Sequence, residues 1–332
     1  MIGQIISNTL KFIKTNFKNF LLFILSTVVL IALLFPYDDL SDFISAQVAK
    51  ATGNKFFVQM EGIGIGLLPG PAIQLNNFSI ESSSFPRLTS DDLSIAPNFL
   101  TLLMGKAGGT ISASNLYQSD LELNFTQGDS VETKSEDFKL KYMLDGELNI
   151  EGLSLNKLKE ATSLPIDIDG KLSVNINFNI DPNFTIQPNG EFQITSSKVS
   201  IPSPTIPIPN FAITLPNLNF SYLKAKGRIV DSEIIIEEAL IGDSKDPMYI
   251  KLKGKIGLKL KQSRLGIKPI FSSYEAKVLF NIHKDLRPQL IFMTFIDGYK
   301  AGPKQADREN FQVKLTGSSF RNPPRARALS TF

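Results

Sequence analysis

The chain has 332 residues, a formal net charge of +3, one histidine, no cysteine and no tryptophan. Without cysteine there are no disulfides, so stability rests on burial and hydrogen bonding, and the composition suits an oxidising or a reducing compartment equally. The small charge surplus comes with no Lys/Arg-rich run interleaved with aromatics, which excludes nucleic acid as an expected partner.

The N-terminal part is dominated by Phe20 to Phe35, FLLFILSTVVLIALLF, a run of sixteen residues without a charge. As a helix it reaches about 24 Å, and extension from Phe17 to Tyr37 brings it to about 31 Å, enough for a hydrocarbon core of ~30 Å. Thirteen of its residues are Leu, Ile, Val or Phe: Phe20, Leu21, Leu22, Phe23, Ile24, Leu25, Val28, Val29, Leu30, Ile31, Leu33, Leu34 and Phe35. Their summed insertion free energy is on the order of −4 to −8 kcal/mol. Lys11, Lys14 and Lys18 stand before the run and Asp38, Asp39 and Asp42 after it. That asymmetry keeps residues 1–19 cytoplasmic and exports the chain from residue 37 onward. A cleaved signal peptide would have a shorter apolar core and a small-x-small site, whereas this run leaves through Leu33-Leu34-Phe35-Pro36. Residues 20–36 are therefore expected to form a single-pass, uncleaved membrane anchor.

Asp38 to Thr52 reads as a helix, capped by Asp39 or Ser41, with Leu40, Phe43, Ile44, Val48 and Ala51 at helical spacing and Gly53 as its stop. Period-two alternation follows at Phe56, Val58 and Met60, and again at Ile63, Ile65 and Leu67. A turn at Leu68-Pro69-Gly70-Pro71 then returns the chain through Ile73 and Leu75, with a bulge expected at Asn76-Asn77. Leu88 to Ile95 is a further strand, and Ala96 to Met104 reads as a short apolar helix closed by Gly105.

From Gly109 onward alternation is the main signal, with strands at Leu121 to Phe125, Phe138 to Tyr142 and Glu147 to Ile150 and an acidic loop at Gln127 to Asp137. Ser154 to Ala161 reads as a short helix. The clearest strand is Lys171 to Ile180, where Leu172, Val174, Ile176, Phe178 and Ile180 point one way and polar residues the other. Glu191 to Ser200 continues the pattern. The prolines of Ile201 to Pro209 remove ladder donors and predict an extended edge or loop. Strands follow at Leu218 to Tyr222, Ile229 to Glu237, Tyr249 to Leu260 and Ala276 to Ile282. In the third of these, Ile250, Leu252, Ile256, Leu258 and Leu260 share one face and Lys251, Lys253, Lys255 and Lys259 the other. Asp285 to Phe295 is expected to be helical and Phe311 to Leu315 a last strand, leaving residues 37–317 as one β-rich body and residues 318–332 as a mobile basic tail. Strands joined by hairpin turns, with few helices, predict mainly antiparallel sheet. A long sheet with one apolar face must fold over, pair with another sheet, or take up an apolar ligand.

Several motifs invite catalytic or modification readings. Gly62, Gly64 and Gly66 lie in a G-x-G-x-G spacing followed by a turn rather than a helix, which fits a flexible strand better than a nucleotide loop. His283 is the single histidine, so a triad or metal cluster would rest on it alone. Asp38-Asp39, Asp91-Asp92 and Asp167-x-Asp169 read as caps or turns rather than acid/base pairs. Asn77, Asn124, Asn183 and Asn219 match the glycosylation acceptor pattern, and strand alternation accounts for them as well. No enzymatic activity, cofactor or metal is expected.

The segment from the anchor to Met104 resembles the N-terminal region of AsmA-like proteins: a single helix, then Ile44, Val48 and Gly53, then Leu67-Leu68-Pro69-Gly70-Pro71-Ala72-Ile73-x-Leu75-x-Asn77-x-Ser79-Ile80. Later motifs resemble the type II secretion system protein N (GspN) family in its short form: Gly146-x-Leu148-x-Ile150-x2-Leu153-x-Leu155, Asp169-Gly170-x-Leu172, Pro188-Asn189-Gly190-x-Phe192 and Lys253-Gly254-x-Ile256-x-Leu258. The Ile201 to Pro209 run is richer in proline than that pattern. The resemblance implies a long, curved or partly open antiparallel sheet on a bacterial inner-membrane anchor, with its body in the periplasm. It further implies either a non-enzymatic accessory of type II secretion, contacting that machine's components, or an AsmA-like groove that carries phospholipid or another acyl lipid. Leu172 to Ile180 and Ile250 to Leu260 would line that groove.

Overall fold

Period-two alternation over most of the chain gives strands with one apolar and one polar face. In the computed structural model the described residues are 16–34, 38–66, 70–82, 85–128, 142–157, 167–182, 186–203, 205–208, 211–214, 216–263, 266–290, 293, 297–301, 307–319, 324–329 and 332. Two helices open the fold, α1 (Phe17–Leu34) and α2 (Asp38–Ala51), and a short α3 (Phe99–Leu103) interrupts the strands later. The strands are β1 (Phe56–Gln59), β2 (Gly62–Gly66), β3 (Ala72–Ser82), β4 (Phe85–Pro97), β5 (Gly108–Leu116), β6 (Ser119–Gln127), β7 (Leu144–Ser154), β8 (Asp169–Ile180) and β9 (Asn189–Ser196). They continue as β10 (Val199–Ile201), β11 (Thr205–Ile208), β12 (Phe211–Thr214), β13 (Leu218–Phe220), β14 (Leu223–Val230), β15 (Glu233–Ile241), β16 (Met248–Ser263), β17 (Gly266–His283), β18 (Arg308–Gly317) and β19 (Arg325–Ala328).

Seventeen strands form one sheet. Its ladder runs antiparallel from β2 through β3 and each successive strand to β9, crosses to β14, and continues in order to β19. Among the described residues β2 pairs only with β3 and β19 only with β18, so the sheet is open. β1 lies in line with β2 along β3, and α2 covers both by setting Leu40, Ile44 and Val48 on Val58, Met60, Ile63 and Leu75. The proline-rich segment forms β11 and β12, a hairpin of its own outside the large sheet, where both strands are edges and Pro207 costs no inner ladder bond.

Besides α2 over β2 and β3, a second cover lies over one end of the apolar face. β10 pairs with β8 and β13 with β10. Val199, Leu218 and Phe220 from these strands join Leu286, Leu290 and Met293 from the β17–β18 connection, packing on Leu172, Met248, Ile282 and Phe311. This is the main core.

Several expectations are revised by the structure. Ile229 to Glu237 is not one strand: Asp231 and Ser232, with φ of 51° and 65°, make a two-residue turn between β14 and β15. Positive φ at both central residues matches the right-handed twist of a hairpin, although neither residue is Gly or Asn. Asp285 to Phe295, expected to be helical, holds a 3-10 turn at Arg287–Gln289 and a helical Met293, while residues 291–292 and 294–296 lie outside the described residues. In the tail expected to be mobile, Arg325–Ala328 pairs with β18, placing Ala326 and Ala328 against Leu315 and Val313. The strand expected at Phe138 to Tyr142, apart from Tyr142, most of the acidic loop, Pro69 and the helix beyond Lys157 lie outside the described residues.

Helix α1 covers 18 residues, about 27 Å at 1.5 Å per residue. Among the described residues no helix is long and apolar enough to cross a membrane. Phe35 to Tyr37, which the expected span from Phe17 needs, lie outside them, as do residues 1–15.

Candidate functional site

Register turns the alternation of single strands into a surface. One row of directly opposed residues crosses fourteen strands: Ile65, Ile73, Ile95, Ile111, Leu123, Leu148, Ile176, Phe192, Gly227, Ile236, Gly254, Ala276, Leu315 and Ala326. A second row beside it reads Ile63, Leu75, Leu93, Ala113, Leu121, Ile150, Val174, Ile194, Ala225, Ala239, Leu252, Val278, Val313 and Ala328. Neither row contains a polar side chain. At about 4.8 Å between strands, the rows extend about 60 Å.

The groove residues expected from sequence fall on this face. Leu172 lies under the capped end and is buried, whereas Val174, Ile176, Phe178, Ile180, Ile250, Leu252, Ile256, Leu258 and Leu260 are half-buried. Val174 and Ile250 also pack against the cap, and among the described residues no second sheet covers the others. Sequence reasoning missed the contributions of β2 to β7 and of β14, whose apolar positions line the same rows. It also missed that Ala225, Gly227, Ala239, Gly254 and Ala276 set small residues into these rows on β14 to β17.

Toward the uncapped end a third row alternates small and aromatic: Gly109, Phe125, Gly146, Phe178, Gly190 and Ile229. The Phe178 ring lies over Gly146, where an added Cβ would fall inside it, and Phe125 reaches toward Gly109 at 3.4 Å from such an atom. Phe192 covers Gly227 in the same manner, 2.6 Å from an added Cβ. Rings laid on glycines replace side chains that would otherwise stand up from the floor. These six residues, with Asn98 just beyond β4 and the flanking Thr110, Asn124, Asp145, Glu147 and Arg228, line a cavity of about 690 Å³. That volume lies within the range of small-molecule pockets.

The opposite face is wet and is knit by amide and carboxylate pairs. Thr110 donates to Asn124 Oδ1 at 2.5 Å, Asn179 to Asp145 at 2.7 Å, and Asn175 to Asn149 Oδ1 at 2.5 Å. At the capped end Arg308 fastens β18 to the loop between β15 and β16. It donates to the carbonyls of Ser244 at 3.0 Å and Asp246 at 2.9 Å and to Asn281 Oδ1, with its guanidinium 5.4 Å from the Tyr249 ring centre. Buried Asn281 in turn donates to Asn310 Oδ1 at 2.6 Å.

The motifs weighed for chemistry are not brought together. Gly62–Gly66 is β2, in ladder with β3. His283 ends β17, its Nδ1 3.3 Å from the Asp285 carboxylate. Asp91 accepts from Asn115 at 2.9 Å and Asp169 from Asn156 at 2.7 Å. Asp38 and Asp39 open α2. Among the described residues no group of three or more His, Asp or Glu is placed to hold a metal. Asn77, with φ 46°, binds Glu61 at 2.5 Å, Asn124 joins the wet-face network, and Asn219 accepts from Ser200 at 2.7 Å; Asn183 lies outside the described residues. Comparison with family models, with curated proteins and with solved structures finds no match.

Proposed function

We propose that this chain is a membrane-anchored lipid-binding protein that holds acyl chains along the apolar face of its open sheet, in the manner of an AsmA-like lipid-transfer groove. The observation that carries the reading is the pair of apolar rows that crosses fourteen strands and, away from α2 and the cap, has no covering layer among the described residues. Leaving such a face in water forgoes about 25 cal/mol for each Å² that burial would remove. An acyl chain lying across the strands recovers that energy and needs no polar partner.

The anchor reading is part of the proposal, with Phe20 to Phe35 in the bacterial inner membrane and the sheet in the periplasm. It is supported by α1, along which Phe17, Leu21, Leu22, Phe23 and Leu30 are exposed. The hydroxyls of Ser26 and Thr27 donate to the Phe23 carbonyl at 2.9 Å and 2.8 Å, so neither needs water. Support of type II secretion rests on the sequence resemblance alone. One experiment tests both readings: a photo-crosslinking residue at Val174, Ile176 or Phe178, activated in cells. Acyl-lipid adducts are expected; recovery of secretion-machine subunits without lipid would replace the groove by the accessory role. Native mass spectrometry after mild detergent extraction is expected to show bound lipid, and a bare chain would count against the groove.

A further inference from the structure

Helix α3 has the reverse of the usual surface pattern. Leu100, Leu103 and Met104 are 74%, 84% and 76% exposed, and Phe99 and Leu102 are exposed as well. The polar residue among them, Thr101, faces the protein: its hydroxyl donates to the Asn98 carbonyl at 2.8 Å and packs where a Cβ on Gly108 would come within 2.7 Å. A surface helix that served only the fold would turn its apolar side inward.

The segment is held rather than frayed. Asn98 Oδ1 accepts from the N–H groups of Leu100 at 3.1 Å and Thr101 at 3.3 Å. At the other end Gly105, with φ +72°, donates to Leu102 at 2.9 Å, and Lys106 N–H donates to the Thr101 carbonyl at 2.9 Å. Asn98 also lines the cavity, so α3 stands at the rim of the apolar face, at the end opposite the cap.

We propose that α3 is a membrane wedge: Phe99 to Met104 enters the interfacial layer of a lipid bilayer and sets the uncapped end of the apolar face against it. A protein groove grips one stripe of a helix, whereas α3 is apolar on every side except the one Thr101 occupies, which suits a bilayer. Lys106, at the base of the helix, lies at the level where a lysine meets headgroup phosphates. The inference rests on the groove reading for what passes between bilayer and cavity, but the insertion is testable apart from it.

Because the chain has no tryptophan, Leu103→Trp supplies a single fluorophore at an exposed site. Lys226→Trp, exposed on the wet face, is the control, and Leu100→Trp a second reporter. The full chain is reconstituted into phosphatidylethanolamine/phosphatidylglycerol vesicles with plain or brominated acyl chains. Bromine is expected to remove most of the Leu103→Trp and Leu100→Trp emission and to leave Lys226→Trp unchanged. Equal emission in both vesicles would overturn the proposal, and so would a blue shift without quenching, which indicates a protein partner or a second copy. Stoichiometric brominated lipid in detergent is expected to leave Leu103→Trp unquenched; quenching there as strong as in vesicles would assign the signal to the groove and also overturn it. Quenching in vesicles from a chain without bound lipid keeps the wedge and removes the groove. Bound lipid with an unquenched reporter does the reverse.

Discussion

Gly227 sits where β9, β14 and β15 run side by side, and a Cβ there would overlap the Ile235 carbonyl oxygen as well as the Phe192 ring. Gly227→Ala must therefore push β15 aside or tilt the ring off the floor. Overpacking of this kind costs about 1–3 kcal/mol, expected as a lower urea midpoint at unchanged slope. Asp246 carries a pH-dependent contribution at the capped end. Burial opposes its ionisation, but the N–H groups of Ser221 and Asp243, the Ser221 hydroxyl and the Arg308 charge outweigh that and hold the carboxyl below its ordinary value. A carboxylate with a lowered folded pKa contributes stability that is fully present above its unfolded value, ~3.9. That contribution is lost as pH falls through the lower folded value. The stability gap between the natural chain and Asp246→Asn is thus expected to be constant from neutral pH down to about 4 and to narrow below it. Denaturant titrations at several pH values check this, and a gap that stays level in acid would contradict it. Glu275, partly exposed, is shifted downward by Lys314, first through their hydrogen bond; solvent screens that pair.

At the level of elements, β19 closes an edge that β18 would otherwise present. Its Arg325 and Arg327 oppose Thr316 and Lys314 on the wet side, so the edge that remains is basic and repels its own kind. Truncation after Gly317 is expected to preserve the sheet but to leave the β18 ladder unpaired, giving concentration-dependent self-association by size-exclusion chromatography. A truncated chain that stays monomeric at the same concentrations would show that β19 guards nothing.

The legibility of these elements follows from how local their causes are. Lys171 to Ile180 and Tyr249 to Leu260 could be read because period two is written along each strand, and α3 because Gly105 closes an apolar run, although its start was set too early: Ala96 and Pro97 belong to β4 and Asn98 is the cap. The Asp231–Ser232 turn carries no glycine or asparagine to announce it. The pairing of β19 depends on a partner several residues back and on no signal of its own. The cap was illegible for the same reason: Leu218, Leu286 and Met293 are distant in sequence and meet over Leu172 only after the sheet has formed.

For the whole molecule, the apolar face is a property of register. A single strand reveals that its Leu and Ile residues share a side, but not that Ile65 and Leu315 lie in one line twelve strands apart. The concentration of small residues on β14 to β17, at Ala225, Gly227, Ala239, Gly254 and Ala276, also emerges only across strands. Sequence therefore indicated a one-faced sheet and two of its lining strands. The rows needed the ladder.

The order of that ladder bears on how the chain reaches its folded state. Nearly every long pairing joins strands that follow one another, and the exception, β9 to β14, spans fewer than thirty residues. No step requires distant ends of the polypeptide to meet first, so each new strand can add to an edge already in place, as units add to a repeat array. Loop-closure entropy is then met in small instalments, which favours rapid assembly for a protein so rich in sheet. A chain synthesised N-terminus first could form the sheet in step with its emergence, with the cap over Leu172 assembling last.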